Sequence, residues 1–164
     1  STSPSRFEEK DFNESAMGDG SIECSDKYDR INIFLNRWHA NARFYSLVRT
    51  EEIQKAYIET NFLGGDWIVI LRLLMYGKYK RIDSGEVILG KYGDSHKNIF
   101  SMFRKGLLGW IFPFYTLSLV SFKLLKGSTI SQKIKLIISL AKLNIIAFYW
   151  QMKREVYRAL KEFR

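Results

Sequence analysis

The sequence predicts a mostly helical α+β protein, and three observations favour this fold class. Apolar residues recur at helical spacing over several long stretches of the chain. Strand-like composition is confined to the short segments 44–48, 80–82 and 87–89. Hydrophobic residues make up 46% of the 164 residues, so the chain has enough apolar material for a packed core and is not wholly disordered.

The first hundred residues predict three helices with short connections. Residues 1–25 are polar and predict a loop or a flexible lead-in. Asp26 is suited to cap a helix that runs to about Trp38, because its carboxylate can accept from the first free backbone N–H groups. Thr50 is suited to cap a second helix, which runs to about Glu59.

A third helix is predicted to begin at Asp66, directly after two glycines. Residues 67–76 are apolar on nearly every face, which predicts a deeply buried helix. Gly77 is placed to end this helix in the left-handed conformation. Residues 90–98, which include His96, predict a loop.

Few residues are available for a disulfide or a zinc site. Cys24 is the only cysteine, so no disulfide can form within the chain. The sequence contains only two histidines, His39 and His96, so a tetrahedral zinc site is not expected either.

The charge of the chain is concentrated at its C-terminal end. Residues 1–60 carry a net charge of −3 and residues 61–100 carry +2, whereas residues 101–164, with 12 basic and 2 acidic residues, carry +10. Such an asymmetry predicts contact with a membrane or a nucleic acid. The first residue is Ser rather than Met, and we expect a chain that is processed or cut from a longer one.

The basic segment has three interpretations. Residues 107–122 carry no charge but are shorter than the roughly 20 apolar residues of a spanning helix. Residues 131–164 predict one or two helices, which either lie in the interface of an anionic membrane or pack as core helices with their lysines in water. Nucleic-acid binding is disfavoured, since no binding signature is present. The residues predicted to contact a membrane are Trp110, Lys135, Lys142, Trp150 and Lys153.

Asp66 is the acidic residue most suggestive of chemistry. The preceding glycines allow close approach of a ligand, and the positive end of the helix dipole favours an ionised carboxylate that can act as a base. An aspartate at a helix start is also a common structural cap, and both interpretations stay open at this point.

Three segments, in order, resemble the second half of family-2 glycosyltransferases with the GT-A fold. They are residues 44–53 (FYSLVRTEEI), 64–67 (GGDW) and 72–82 (RLLMYGKYKRI). The resemblance covers about 26–98 and implies a partial GT-A-like sheet with packed helices, followed by an amphipathic C-terminal helical segment at 99–164.

The resemblance also implies roles for four residues. Asp66 matches the position of the catalytic base. Trp67 would line the acceptor site, although a core position on the buried helix is an equal alternative. Arg49 would contact the acceptor or the diphosphate, or form a surface salt bridge. His96 would contact a metal or the diphosphate, or be a surface histidine.

The nucleotide-binding half of such enzymes has no counterpart here. That half ends in an Asp-x-Asp that holds a divalent metal, Mg or Mn, and this chain contains no Asp-x-Asp. The metal is therefore expected for a full-length enzyme and not for this chain alone.

The resemblance thus implies the C-terminal part of an inverting glycosyltransferase. Its donor would be a nucleotide-sugar and its acceptor a glycan or glycolipid, at the cytoplasmic inner face of the plasma membrane. The alternative is a non-catalytic helical module that docks on a membrane or on a protein.

Overall fold

The computed structural model describes residues 1–7, 18–36, 41–58, 62–89, 102–103 and 106–162. These residues are mostly helical, as the sequence predicts. The strands are β1 (Ser5–Phe7) and β2 (Val87–Leu89), and a 3₁₀ helix spans Ala42–Tyr45. The α-helices are α1 (Lys27–Leu35), α2 (Thr50–Ala56), α3 (Gly65–Tyr76), α4 (Gly106–Ile111), α5 (Tyr115–Leu124) and α6 (Ile130–Glu162).

Helix α3 is the centre of the core. It packs against α1, α2, α5 and the 3₁₀ helix, while α6 packs against α1. This arrangement follows from the sequence of α3, whose apolar residues occupy nearly every face and so need neighbours on several sides. The fully buried side chains that fill the centre are Ile31, Phe34, Leu35, Ile68, Ile70, Leu71, Leu74, Leu117 and Leu136.

Residues 1–7 and 18–25 are mostly loop, which was one of the two predictions, but they pair with the rest of the fold and do not form a flexible lead-in. β1 pairs in parallel with β2, with Ser5 opposite Val87. Thr2 forms a further bridge with Arg81, and buried Ile22 forms one with Tyr79. A polar composition does not prevent this pairing, because backbone groups supply the hydrogen bonds.

The start of α1 is as predicted. The Asp26 carboxylate accepts hydrogen bonds from the backbone N–H groups of Tyr28 (2.8 Å) and Asp29 (2.9 Å). Helix α1 ends at Leu35, and the predicted end at Trp38 lies outside the described residues.

Buried Arg30 ties α1 to α3. Its Nε donates to the Leu74 carbonyl (2.8 Å), and its Nη1 donates to the carbonyls of Cys24 (3.0 Å) and Ser25 (2.7 Å). The guanidinium thus satisfies a carbonyl near the C-terminal end of α3, where the helix dipole also favours a cation.

The predicted strand at 44–48 is wrong. Its first residues belong to the 3₁₀ helix, and Phe44, Tyr45 and Leu47 are all exposed. Because these three apolar side chains are exposed, the segment has no buried face that a sheet could cover. The prediction, which used composition alone, was therefore wrong. At 80–82 only the single bridge of Arg81 forms, whereas the strand at 87–89 is confirmed.

Three predicted helix termini differ in detail. Thr50 is the first residue of α2, and Arg49 occupies the capping position without a side-chain cap bond. The predicted end at Glu59 also differs, since α2 stops at Ala56. Gly77 ends α3 with a φ of −151°, which is extended backbone rather than the predicted left-handed conformation.

The C-terminal segment ends in one long helix, α6. Thr129 and Gln132 form a reciprocal capping box at its start, with backbone-to-side-chain bonds of 3.0 and 3.3 Å. Buried Asn144 of α6 accepts from the Phe114 backbone N–H (2.9 Å) and donates to Ser118 Oγ (3.2 Å), which joins α6 to α5. Within the described residues, α6 alone is long and apolar enough to cross a membrane by length and composition.

Candidate functional site

The Asp66 carboxylate lies at the surface, in the first turn of the otherwise buried helix α3. Asn41 Nδ2, just before the 3₁₀ helix, donates to Asp66 Oδ2 over 2.9 Å. The Oδ1 atom of Asn41 is buried and accepts from no donor among the described residues. The site therefore combines an exposed carboxylate at a helix N-terminus with a neighbouring amide that orients it.

Gly64 sets the path of the chain into this site. Its φ of +83° lies in the left-handed region, which favours glycine. A Cβ at this position would lie 3.2 Å from the Phe114 ring and 3.3 Å from Leu117. The backbone before Asp66 is therefore pressed against the start of α5, and only glycine allows this approach.

Trp67 occupies the core position that the sequence left open as an alternative. Only 6% of the residue is exposed. Its indole stacks on Phe114 with ring centroids 5.7 Å apart and meets the edge of Phe34 at 5.3 Å. In this packing the ring has no open face for a sugar, and its observed role is to hold α3 against α1 and α5.

Arg49 lies at the other end of α3 from Asp66. It lines a cleft of about 620 Å³ together with Leu73, Tyr76 and Lys78. Asp66 does not line this cleft, and the rise of an α-helix places Asp66 and Tyr76 about 15 Å apart along the axis. The structure therefore does not bring Arg49 and Asp66 into one site.

His96, the residue predicted to contact a metal or the diphosphate, lies outside the described residues. Among the residues that the structure describes, no three His, Cys, Asp or Glu side chains come close enough to hold a metal ion. The described side chains around Asp66 therefore form no metal site.

The residues predicted to contact a membrane fall into two groups. Lys135, Lys142 and Lys153 are exposed. Trp150 is 43% exposed, and the Lys153 ammonium lies 5.1 Å from the centre of its ring. Trp110 is half-buried and packs edge-on against Phe148 of α6 at 5.4 Å. Trp110 therefore contributes to the packing of α4 on α6.

A buried polar network joins the N-terminal residues to the sheet, and sequence analysis missed it. Asp19 is only 1% exposed and accepts from the Ser5 backbone N–H (2.8 Å) and from Arg81 Nη1 (3.4 Å). Arg43 Nε donates to the Gly20 carbonyl (3.0 Å). No spacing in the sequence links these positions, because long-range packing brings them together.

Burial changes two pKa values in this network. It lowers the pKa of Arg43 to about 10, an effect that nearby Asp19 and Tyr79 partly oppose. Burial likewise raises the pKa of Tyr79 to about 12, opposed by the charge of Arg43. Both shifts follow from desolvation, and the contacts of the network are those of a structural element rather than a reactive centre.

Comparison of the chain with protein-family models, with curated proteins and with solved structures gives no match in any of the three.

Proposed function

We propose that this chain is the acceptor-side and C-terminal part of an inverting glycosyltransferase, with Asp66 as the catalytic base. The observation that carries the proposal is the exposed Asp66 carboxylate, oriented by Asn41 at the start of α3. The order of the three sequence segments around it supports the same assignment.

The proposed reaction is a single displacement. One Asp66 carboxylate oxygen takes the proton of an acceptor hydroxyl while the hydroxyl oxygen bonds to the anomeric carbon of the donor sugar. The bond from that carbon to the diphosphate breaks, and the nucleoside diphosphate leaves with its electron pair. The Asp66 carboxylate suits this role because it is exposed, so an acceptor can reach it, and because Asn41 orients it.

In this proposal the metal and the nucleotide-sugar belong to a donor-binding half outside these 164 residues. The full-length enzyme would use Mg or Mn there, and it would work at the cytoplasmic face of a membrane. Helix α6 supports the membrane location, since its length and apolar composition suit contact with lipid.

The test compares Asp66→Asn with Asp83→Asn in the full-length polypeptide. Asp83 is a matched control, because it is an exposed acid that pairs with Arg81 and lies far from Asp66 in sequence. Radiolabelled uridine- and guanosine-diphosphate sugars serve as donors, and a membrane extract serves as acceptor. We expect Asp66→Asn to bind donor normally and to lose at least about a hundredfold in transfer, as removal of a general base typically causes.

Asp83→Asn is expected to retain the activity. If the unchanged protein transfers none of these sugars, or if Asp66→Asn keeps nearly full transfer, the proposal is wrong.

The second candidate is a non-catalytic helical module that docks on a membrane or a protein. The observation that favours it is the row of exposed apolar side chains along α5 and α6. Docking by a folded chain with no Asp66-dependent transfer would favour this candidate over the first.

A further inference from the structure

Helix α6 has apolar side chains on two opposite faces. Leu136, Leu140 and Leu143 are buried on one face. Ile134 and Ile138, together with Ile145 farther along the helix, are exposed. At about 100° per residue, the three isoleucines lie within one narrow row directly opposite the buried leucines. Packing in the core therefore explains why the leucine face is apolar, but it does not explain the exposed isoleucine face.

Helix α5 repeats this arrangement beside α6. Tyr115, Leu119 and Phe122 are exposed and share one face, since they are spaced by four and three residues. Leu117 and Ser121 are buried on the other face. The two exposed rows meet at a groove of about 410 Å³ between the helices, lined by residues that include Phe122 and Ile145. We call the two rows with this groove the α5–α6 apolar surface.

Lysines border the α5–α6 apolar surface on both outer edges. Lys135, Lys142 and Lys153 lie about 70° around α6 from the isoleucine row, on the side away from the groove. Exposed Lys123 lies on the outer side of the α5 row. Glu155 is the one acidic residue in α4–α6 whose side chain the structure describes. An apolar strip between basic edges is complementary to a lipid leaflet with anionic head groups.

We propose that the α5–α6 apolar surface docks on an anionic lipid leaflet, with α6 lying along the leaflet. The isoleucine row and the α5 row enter the boundary between head groups and acyl chains, and the lysines remain at the head groups. Helix α6 does not span the bilayer in this arrangement, because its leucine face is fixed against α1.

A second copy of this chain fits the same surface less well. A two-fold interface places the same patch of each copy against the other. The lysine edges of both copies would then face one another with almost no acidic partner in the described part of these helices. Like charges in such a contact are unfavourable, whereas anionic lipid neutralises them.

Docking would also hold the start of α3, and with it Asp66, on the side of α5 that faces away from the lipid. The Gly64 backbone presses on Phe114 and on Leu117, which belongs to the buried face of α5, so this helix, about 10 Å thick, separates the start of α3 from the leaflet. If Asp66 is the base, which rests on the proposed function, the acceptor hydroxyl is therefore not in a lipid head group at the leaflet surface.

The first test is co-sedimentation of the full chain with phosphatidylcholine vesicles, with and without phosphatidylserine. Ile134→Asp is compared with Ile33→Asp, a matched control on α1, because both isoleucines are 51% exposed. We expect Ile134→Asp to abolish binding and Ile33→Asp to leave it unchanged. Changing Lys135, Lys142 and Lys153 to Gln should weaken binding to the anionic vesicles about a hundredfold, at about fivefold per lysine.

A second test locates α6 in the leaflet without an apolar-to-charged change. Cys24 is replaced by Ser, and single cysteines at positions 134, 138 and 145 carry a polarity-sensitive fluorophore. A helix lying along the leaflet gives similar shallow quenching depths at all three positions. A spanning helix separates positions 134 and 145 by about 16 Å in depth, which would overturn the proposal.

Binding by Ile134→Asp equal to that of the unchanged chain would also overturn it. So would a stable dimer that buries the three labels and does not bind vesicles. Asp66→Asn is expected to bind vesicles normally, so failure of the docking proposal is distinguishable from failure of the proposed catalytic role.

Discussion

The substitution Gly64→Ala tests how tightly the start of α3 is packed. Gly64→Ala places a Cβ at a φ of +83°, where a non-glycine residue costs about 1–2 kcal/mol. The new methyl group would also lie 3.2–3.3 Å from Phe114 and Leu117, and overpacking of this kind costs about 1–3 kcal/mol. The reduced entropy of the unfolded chain offsets about 0.4–1 kcal/mol. We therefore expect the free energy of unfolding to fall by about 2–4 kcal/mol.

Gly85→Ala is the matched control. Its φ of +82° is nearly the same, but a Cβ there would meet nothing within 4 Å. We expect a loss of about 1 kcal/mol from backbone strain alone. Urea unfolding followed by tryptophan fluorescence measures both variants, since Trp67 stacks on Phe114. Equal losses for the two variants would refute the claim that close packing against α5 determines the residue at position 64.

Three further predictions concern the buried polar groups. Arg30→Met keeps much of the side-chain volume but removes the donor to the Leu74 carbonyl. We expect it to lower the free energy of unfolding by about 2–4 kcal/mol. The control Arg49→Met, at an exposed position, should lower it by less than about 0.5 kcal/mol. Equal urea midpoints for these two variants would contradict this. Tyr79→Phe removes a buried hydroxyl that has no partner among the described residues. Thermal unfolding should therefore show unchanged or slightly raised stability. A loss above about 1 kcal/mol would contradict this. Between pH 10 and 12 the raised pKa of Tyr79 makes stability fall with rising pH, whereas the lowered pKa of Arg43 makes it rise. Tyr79→Phe should therefore gain stability relative to the unchanged chain as the pH rises through this window, and parallel curves would contradict the assignment.

The sequence predicted those elements whose signal is local. The Asp26 cap and the buried helix α3 depend on neighbouring residues, so a cap residue and an apolar run were sufficient to find them. The strand at 44–48 failed because aromatic and β-branched residues favour strands only where a sheet covers one face. The lysine row of α6 was predicted from the sequence. The burial of neighbouring Ser139 was not, because it depends on how α6 packs in the fold, which composition does not show.

The candidate site was predicted only in part for the same reason. Asp66 was found from its position after two glycines, whereas Asn41 is brought to it by tertiary packing across 25 residues. The separation of Arg49 from Asp66 likewise depends on the way α2 lies along α3. The buried network around Asp19 has no local signal, since its partners come from distant parts of the chain.

The chemical step itself tests the central claim most directly. In the full-length polypeptide, a single turnover of bound nucleotide-sugar is timed after an acceptor is added, with the unchanged protein and with Asp66→Asn. If Asp66 removes the acceptor proton, the rate of sugar transfer falls by about a hundredfold or more while donor binding is unchanged. A single-turnover rate for Asp66→Asn within a few-fold of the unchanged protein would contradict the account.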